Sequence, residues 1–164
     1  MSTAQNTLQM KRVVHEFTQL NHGVPERVFP LLCPVREAEW LPRWKYRLVY
    51  SQSGVAELGA VFTTPNEDGT ETTWIITRYD PVKFEIAFAW VRPQLLATRL
   101  EILLAPAGHD RTHSHIRYAY TALSPEGEQE LEGMNAGWFE RRMRGWETAI
   151  NHYLDHGSLI SDLD

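Results

Sequence analysis

The sequence predicts an α+β domain in which a curved antiparallel sheet of about seven strands packs against one long C-terminal helix. Three observations predict this class. One strand pattern stands near the start, six more follow a pair of short helices, and an amphipathic stretch runs from Ser124 to Gly157. At 164 residues the chain is long enough for one domain with its own core. A long amphipathic helix after a series of strands needs a sheet to cover its apolar face.

The C-terminal stretch carries helix signals at both ends. Ser124 precedes Pro125 and Glu126, the pattern of an N-cap, a proline in the first turn and an acid near the positive end of the helix dipole. Gly157 supplies a C-terminal stop. The span is long for a globular helix, so a break near Gly133–Gly137 is left open.

A spacing of about 100° per residue predicts one apolar face on this helix. The face contains Leu131, Met134, Trp138, Gly145, Ala149 and Tyr153. Arg142 projects near the middle of it, where an unpaired guanidinium is costly to bury. Arg142 therefore needs a carboxylate partner, a path to solvent, or an anionic group on a ligand. Glu37, Glu57 and Glu101 are the candidate partners.

The remaining elements follow from alternation and turn residues. Lys11–Leu20 predicts the first strand, and 24–32 and 35–41 predict two short helices interrupted by Pro34. The six later strands are predicted at 45–53, 57–64, 71–79, 83–91, 95–104 and 112–123. We expect a single domain over residues 10–157, with flexible ends at 1–9 and 158–164.

Composition narrows the functional classes. A net charge of −5 argues against a nucleic-acid partner, because binding phosphates needs a basic excess. Cys33 is the single cysteine, so no intrachain disulfide forms and a reducing cytoplasm is the expected location. The N-terminus lacks the apolar core of a signal peptide, and no run approaches the ~20 apolar residues of a membrane span. We predict a soluble, cytoplasmic protein; a homodimer is left open.

Three segments resemble the START-related SRPBCC superfamily, which includes birch-pollen-allergen-like proteins, polyketide cyclases and Hsp90 activator-like domains. Val24 to Phe29 resembles the start of the family's first helix, and Trp40 to Trp44 its tryptophan-bearing segment. Tyr118 to Ser124 resembles the last strand running into the terminal helix. The resemblance covers about residues 10–156 and implies a helix-grip fold. It does not imply one activity, because members include carriers, enzymes and interaction modules.

In such a fold the space between the sheet and the last helix is either packed or left as a pocket. Alternation along the strands predicts an apolar, aromatic lining for this space. The predicted ligand-binding residues are Trp74, Phe88, Trp90, Tyr118, Trp138 and Arg142. We predict binding or carriage of a small hydrophobic or amphipathic molecule, with Arg142 or a tyrosine hydroxyl holding its polar end. A plainly packed core is the alternative.

Two other functions are left open, and no catalytic residue is assigned. An enzyme resembling the polyketide cyclases and aromatases would use the same pocket, with Tyr118, Arg142 or Glu37 moving protons. An interaction module resembling the Hsp90 activators would instead need an exposed apolar patch. A carboxyl beside tryptophans can have a raised pKa, although a solvated or ion-paired carboxylate is more typical of Glu37, Glu39 and Glu57. Trp40 and Trp44 are predicted to plug one end of the sheet.

The histidines do not predict a metal site. His113 and His115 share a strand face, and His15 could neighbour them if the first and last strands pair. A zinc site needs three or four converging ligands, and we expect the two strand histidines to face solvent. Cys33 lacks a nucleophile motif, so we expect it to be a small buried hydrophobe. No phosphate-binding glycine loop and no hydrolase or metalloprotease motif is present, so we predict no metal and no cofactor.

Overall fold

The structure, a computed structural model, describes residues 9–161. Its strands are β1 Arg12–Asn21, β2 Arg47–Tyr50, β3 Val61–Pro65, β4 Glu71–Asp80, β5 Glu85–Arg92, β6 Leu96–Pro106 and β7 Thr112–Ala122. Between β1 and β2 lie three short turns of helix: α1 Pro25–Val28, a 3-10 helix Phe29–Leu32 and α2 Pro34–Glu37. The chain ends in α3 Pro125–Gly133 and α4 Ala136–His156. The predicted domain limits stay predictions, and residues 1–8 and 162–164 of the proposed ends lie outside the described residues.

The strands form one antiparallel sheet in the order β1-β7-β6-β5-β4-β3-β2. The first strand pairs with the last along its whole length, with Arg12 opposite Thr121. The register shifts between Leu48 and Tyr50 and again between Ile76 and Arg78, and such irregularities bend a sheet. The predicted α+β class, with a curved seven-stranded sheet and a C-terminal helix, is confirmed.

The terminal helix is broken where the sequence left a break open. The Ser124 hydroxyl accepts a hydrogen bond from the backbone N–H of Gly127 (3.1 Å) and begins α3, as predicted. The side chain of Asn135 begins α4 by accepting from the N–H of Trp138 (2.9 Å). Gly157 ends α4 in the left-handed conformation, with φ of 70°.

The predicted apolar face of this helix is wrong in part. The buried side chains of α4 are Phe139, Met143, Ala149, Ile150 and Leu154. The break resets the helical phase, so a face counted from Leu131 in α3 does not continue into α4. Within α4 itself, Ala149 is buried as predicted, whereas Trp138, Gly145 and Tyr153 are only half-buried.

The core lies between the inner face of the sheet and α4, and the segment after β1 closes one end. Trp40 is fully buried, and its indole Nε1 donates to the carbonyl oxygen of Leu31 (2.8 Å). Its ring lies 5.6 Å from that of Trp146 on α4. Trp40 therefore plugs this end of the sheet, as predicted. Within residues 9–161, no helix is both long and apolar enough to cross a membrane.

The histidines on β7 face solvent, as expected: His113 and His115 are both exposed. His15, which this strand pairing could have brought beside them, does not join them. Although β1 pairs with β7, His15 lies on the inner face, where its ring stacks on Phe139 at 5.0 Å and its Nε2 lies 2.7 Å from the carbonyl oxygen of Met134. Among the described residues, no three His, Cys, Asp or Glu side chains converge on a metal position.

Candidate functional site

A cleft with two lobes lies between the curved sheet and the first half of α4. The outer lobe has a volume of about 1030 Å³ and the inner lobe about 450 Å³. Five residues line both lobes: Arg43, Trp44, Trp74, Tyr118 and Arg142. The two lobes therefore adjoin at these residues, and together they form the cleft. The inner lobe is within the size range of small-molecule binding sites in proteins, about 300–1,000 Å³, and the outer lobe is at its upper end.

All six predicted ligand-binding residues line this cleft. Those in both lobes are Trp74, Tyr118 and Arg142; Phe88 lines the inner lobe, and Trp90 and Trp138 line the outer lobe. Of the two alternatives for this space, a pocket and a packed core, the structure has a pocket at these six residues. That these residues bind a ligand stays a prediction.

The sheet side of the cleft is a layer of contacting aromatic rings. Trp74 lies opposite Trp90 across the β4–β5 pair, with their ring centroids 5.5 Å apart. Phe62 stacks on Trp74 at 5.3 Å, and Phe88 meets the same ring edge-on at 6.1 Å. The indole Nε1 of Trp74 also donates to the hydroxyl of Thr64 (3.0 Å). These contacts fix the rings before any ligand arrives.

Trp44, which we predicted as a plug, also lines both lobes. Its indole Nε1 donates to the carbonyl oxygen of Pro34 (2.8 Å), and this bond holds the loop before β2 against the cleft. The neighbouring residue, Arg43, also lines the cleft. Sequence reasoning missed Arg43, Lys45 and Arg141 as lining residues, although Arg43 lies within the segment that carries the family resemblance.

Arg142 is exposed at the cleft, so its predicted position in the middle of a buried stripe is wrong. Its guanidinium lies over the ring of Trp138, with Cζ 5.6 Å from the ring centroid. Two of its predicted partners are engaged elsewhere: Glu57 accepts from Ser51 in a loop, and Glu101 pairs with Arg99 and Arg117. Among residues 9–161, Arg142 forms no ion pair.

Of the three predicted partners of Arg142, Glu37 lines the cleft, whereas Glu57 and Glu101 do not. Its side chain lines the inner lobe, the residue is 9% exposed, and desolvation raises its pKa well above the ordinary value of 4.5. The carboxyl has no hydrogen-bond or ion-pair partner in the described part of the chain. Glu39, in contrast, is exposed and bonded to Arg36, which lowers its pKa.

Two tyrosines add neutral donors to this apolar surface. Burial raises the pKa of Tyr118 to about 12, opposed by the charge of Arg142 and assisted by that of Glu37. Burial also raises the pKa of Tyr120, whose ring stacks on Tyr118 at 5.2 Å. Both hydroxyls stay protonated at neutral pH. The cleft therefore offers O–H donors to an uncharged acceptor and a guanidinium to an anion.

The buried polar atoms beside the outer lobe are incompletely bonded. Trp90 Nε1 and Thr98 Oγ1 are buried without a hydrogen-bond partner among residues 9–161. The two residues face each other across the β5–β6 pair, and Tyr120 lies opposite Thr98 on β7. Since buried polar groups are ordinarily hydrogen-bonded, this row offers contacts that a bound molecule or water can satisfy.

No family model and no curated protein matches the chain. Solved structures do resemble it. Norcoclaurine synthase from Thalictrum flavum superposes with a TM-score of 0.67 at 13% identity, over 95% of this chain and 94% of that one. Protein MLL2253 from Mesorhizobium loti superposes with a TM-score of 0.58 at 19% identity, over 93% and 100%.

The chain has a helix-grip fold. A third neighbour, the di-domain ARO/CYC protein BexL from the BE-7585A biosynthetic pathway, superposes with a TM-score of 0.59 at 16% identity. That match covers 89% of this chain and 47% of BexL. At 13–19% identity these likenesses show the fold, and the fold that the sequence resemblance implied is confirmed.

Proposed function

We propose that this protein binds a small hydrophobic or amphipathic molecule in the cleft between its curved sheet and α4. The observation that carries the proposal is an open, aromatic-walled cleft, with an outer lobe of about 1030 Å³, in the position that a core would otherwise fill. The apolar body of the ligand packs against Trp74, Phe88, Trp90 and Tyr118. Its polar end meets Arg142 or the Tyr118 hydroxyl.

The walls are suited to this role energetically. Apolar burial contributes about 25 cal/mol per Å², so about 200 Å² of ligand surface contributes about 5 kcal/mol before ordering costs. The ring contacts around Trp74 reduce those costs on the protein side, because the rings are already held in place. Norcoclaurine synthase, which shares the fold, has been solved in complex with dopamine and hydroxybenzaldehyde. A small aromatic molecule is therefore a sensible first probe.

Native mass spectrometry beside a denatured control tests the proposal. We expect the purified protein to carry, or to take up, an amphipathic molecule that Trp138→Ala and Arg142→Ala release. Tyr50→Ala is the matched control, since Tyr50 is 63% exposed and lies outside the cleft. An empty protein that binds none of a panel of fatty acids, sterols and polyketide-like aromatics would contradict the proposal.

A second function, an enzyme resembling the polyketide cyclases and aromatases, is favoured by Glu37 and Tyr118 in the inner lobe. A carboxyl whose pKa is raised by burial can donate a proton near neutral pH, and Tyr118 supplies a second donor in the same lobe. We expect Glu37→Gln to lower turnover of a poly-β-keto substrate about 100-fold while leaving its binding intact. Glu39→Gln is the control, and equal turnover in both variants would contradict the enzyme.

A further inference from the structure

Four exposed basic side chains border the cleft. Arg43 and Lys45 come from the loop before β2, and Arg141 and Arg142 from the first half of α4. All four are exposed, and none of them forms an ion pair with a described carboxylate. The chain as a whole carries a net charge of −5, so the positive charge of these four side chains is opposite to the net charge of the protein.

The acidic residues of the cleft leave the four charges largely uncompensated. Glu130 pairs with Arg92 (3.5 Å), which also meets Asp68 (3.7 Å). Glu37 is buried, and desolvation favours its neutral form. Glu67 is the remaining carboxylate in the lining. The space between the loop and α4 therefore carries an excess of positive charge.

The backbone of Arg43 is held in a conformation that arginine rarely adopts. Its φ is 63°, in the left-handed region, which costs a residue with a Cβ roughly 1 kcal/mol. The other non-glycine residues of this kind lie in the hairpin connections of the sheet: Phe84, Gln94 and Asp110. Arg43 instead lies beside the cleft, next to the indole bond that Trp44 makes to Pro34. Strain of this kind is concentrated at functional sites.

The two arginines of α4 extend toward its N-terminal end. The Arg142 guanidinium lies over Trp138, and Arg141 Nη1 lies 3.4 Å from the position of a Cβ at Gly137. That end of a helix also carries the positive pole of its dipole. The loop and the helix thus present cations to one cleft from two sides.

We propose that these four residues bind the phosphate head of an amphiphile whose apolar body occupies the aromatic lobes, a ligand class that rests on the function proposed above. A phosphate monoester carries about −1.5 to −2 charges at neutral pH and three strong acceptor oxygens. Arginine binds such a group through two parallel hydrogen bonds. A single carboxylate would compensate only one of the four cations.

Calorimetric titration with 2-naphthyl phosphate, 2-naphthoate and 2-naphthol tests this assignment, since the three share one apolar body. We expect the phosphate to bind tightest and 2-naphthol weakest. Arg43→Ala and Arg141→Ala should each weaken phosphate binding about tenfold or more and leave 2-naphthol binding unchanged. Arg47→Ala and Arg144→Ala are the matched controls, because these arginines pair with Glu71 and Glu140 and do not line the cleft.

Each of the following results would contradict one part of the proposal. Equal affinity for 2-naphthol and 2-naphthyl phosphate would overturn the phosphate head and leave the binding cleft standing. Inorganic phosphate that binds as tightly as 2-naphthyl phosphate would show that the cluster binds free phosphate without the apolar body. Binding of none of the three naphthyl probes would overturn this assignment, and together with an empty protein in the mass spectra it would remove the proposed function as well. Equal losses in the control variants would show an unspecific charge effect.

Discussion

Glu37 is the residue at which burial and ionisation conflict most. Its carboxyl lies against the inner lobe without a partner in residues 9–161, and desolvation raises its pKa. Between pH 4.5 and that raised pKa, the folded chain binds a proton that the unfolded chain has lost. The free energy of unfolding therefore falls as pH rises through this window.

We expect Glu37→Gln to match the wild type below about pH 4.5 and to be the more stable protein above it. The difference should grow by up to about 1.4 kcal/mol per pH unit and stop growing above the native pKa of Glu37. Urea denaturation from pH 4 to pH 8 measures it. Glu39→Gln is the control with the opposite expectation, because a hydrogen bond from Arg36 lowers the pKa of Glu39. A difference for Glu37→Gln that does not change with pH would contradict the argument.

At the scale of elements, α3 is held against the β5–β6 turn by a close backbone approach. The Ser124 hydroxyl donates to the carbonyl oxygen of Gln94 (2.5 Å), and the Leu123 N–H to that of Leu95 (2.9 Å). A Cβ added at Gly127 would overlap the carbonyl oxygen of Leu95. Since Glu130 and Gly133 line the outer lobe, the position of α3 sets the edge of the cleft.

Two glycine-to-alanine changes should have opposite effects. Gly127→Ala should lower the free energy of unfolding by about 1–3 kcal/mol, because α3 must move away from Leu95. Gly145→Ala in α4 should raise it by about 0.5–1 kcal/mol, because a Cβ there meets nothing within 4 Å and alanine favours the helix. Thermal and urea unfolding measure both. A gain in Gly127→Ala would show that the close contact is not maintained in solution.

Gly145 also lines the inner lobe, so a large side chain at this position tests whether the lobe is used. We expect Gly145→Phe to fold and to lose binding of a ligand that wild-type protein retains, since the ring occupies part of about 450 Å³. Thr148→Phe is the matched control on an exposed position of α4. Unchanged affinity in Gly145→Phe would exclude the inner lobe from the binding site.

At the scale of the whole molecule, the cleft joins parts of the chain that are far apart in sequence. Its walls come from the loop before β2, from β3 to β7, and from both terminal helices. A ligand that contacts these elements at once binds the folded state and not the unfolded chain. Binding is therefore linked to global unfolding.

We expect a ligand at 100 times its dissociation constant to raise the free energy of unfolding by about 2.7 kcal/mol. Tryptophan fluorescence and far-ultraviolet circular dichroism should report one shared transition with and without the ligand. Tyr50→Ala should show the full shift, whereas Trp138→Ala should show a smaller one at the same ligand concentration. Separate midpoints for the two signals would contradict a single cooperative domain.

The local features of this chain were determined by its sequence alone. Alternation assigned Trp74, Phe88 and Trp90 to the inner face of the sheet, because side chains on a strand point to opposite faces in turn. Capping chemistry placed the start of α3 at Ser124, and the glycines near residue 135 marked the break before α4. These features depend on neighbours within a few residues of one another.

Only the tertiary structure decided what depends on distant segments. Arg142 is exposed because its side of α4 faces the cleft and not a packed core, and the packing of β1 placed His15 against Phe139, away from the β7 histidines. The inner lobe is lined by Glu37 and Arg43 together with Arg141, which lies about a hundred residues further along the chain. Whether the space between sheet and helix is filled or open depends on the summed volumes of side chains from every element. This total volume cannot be read from any local pattern in the sequence.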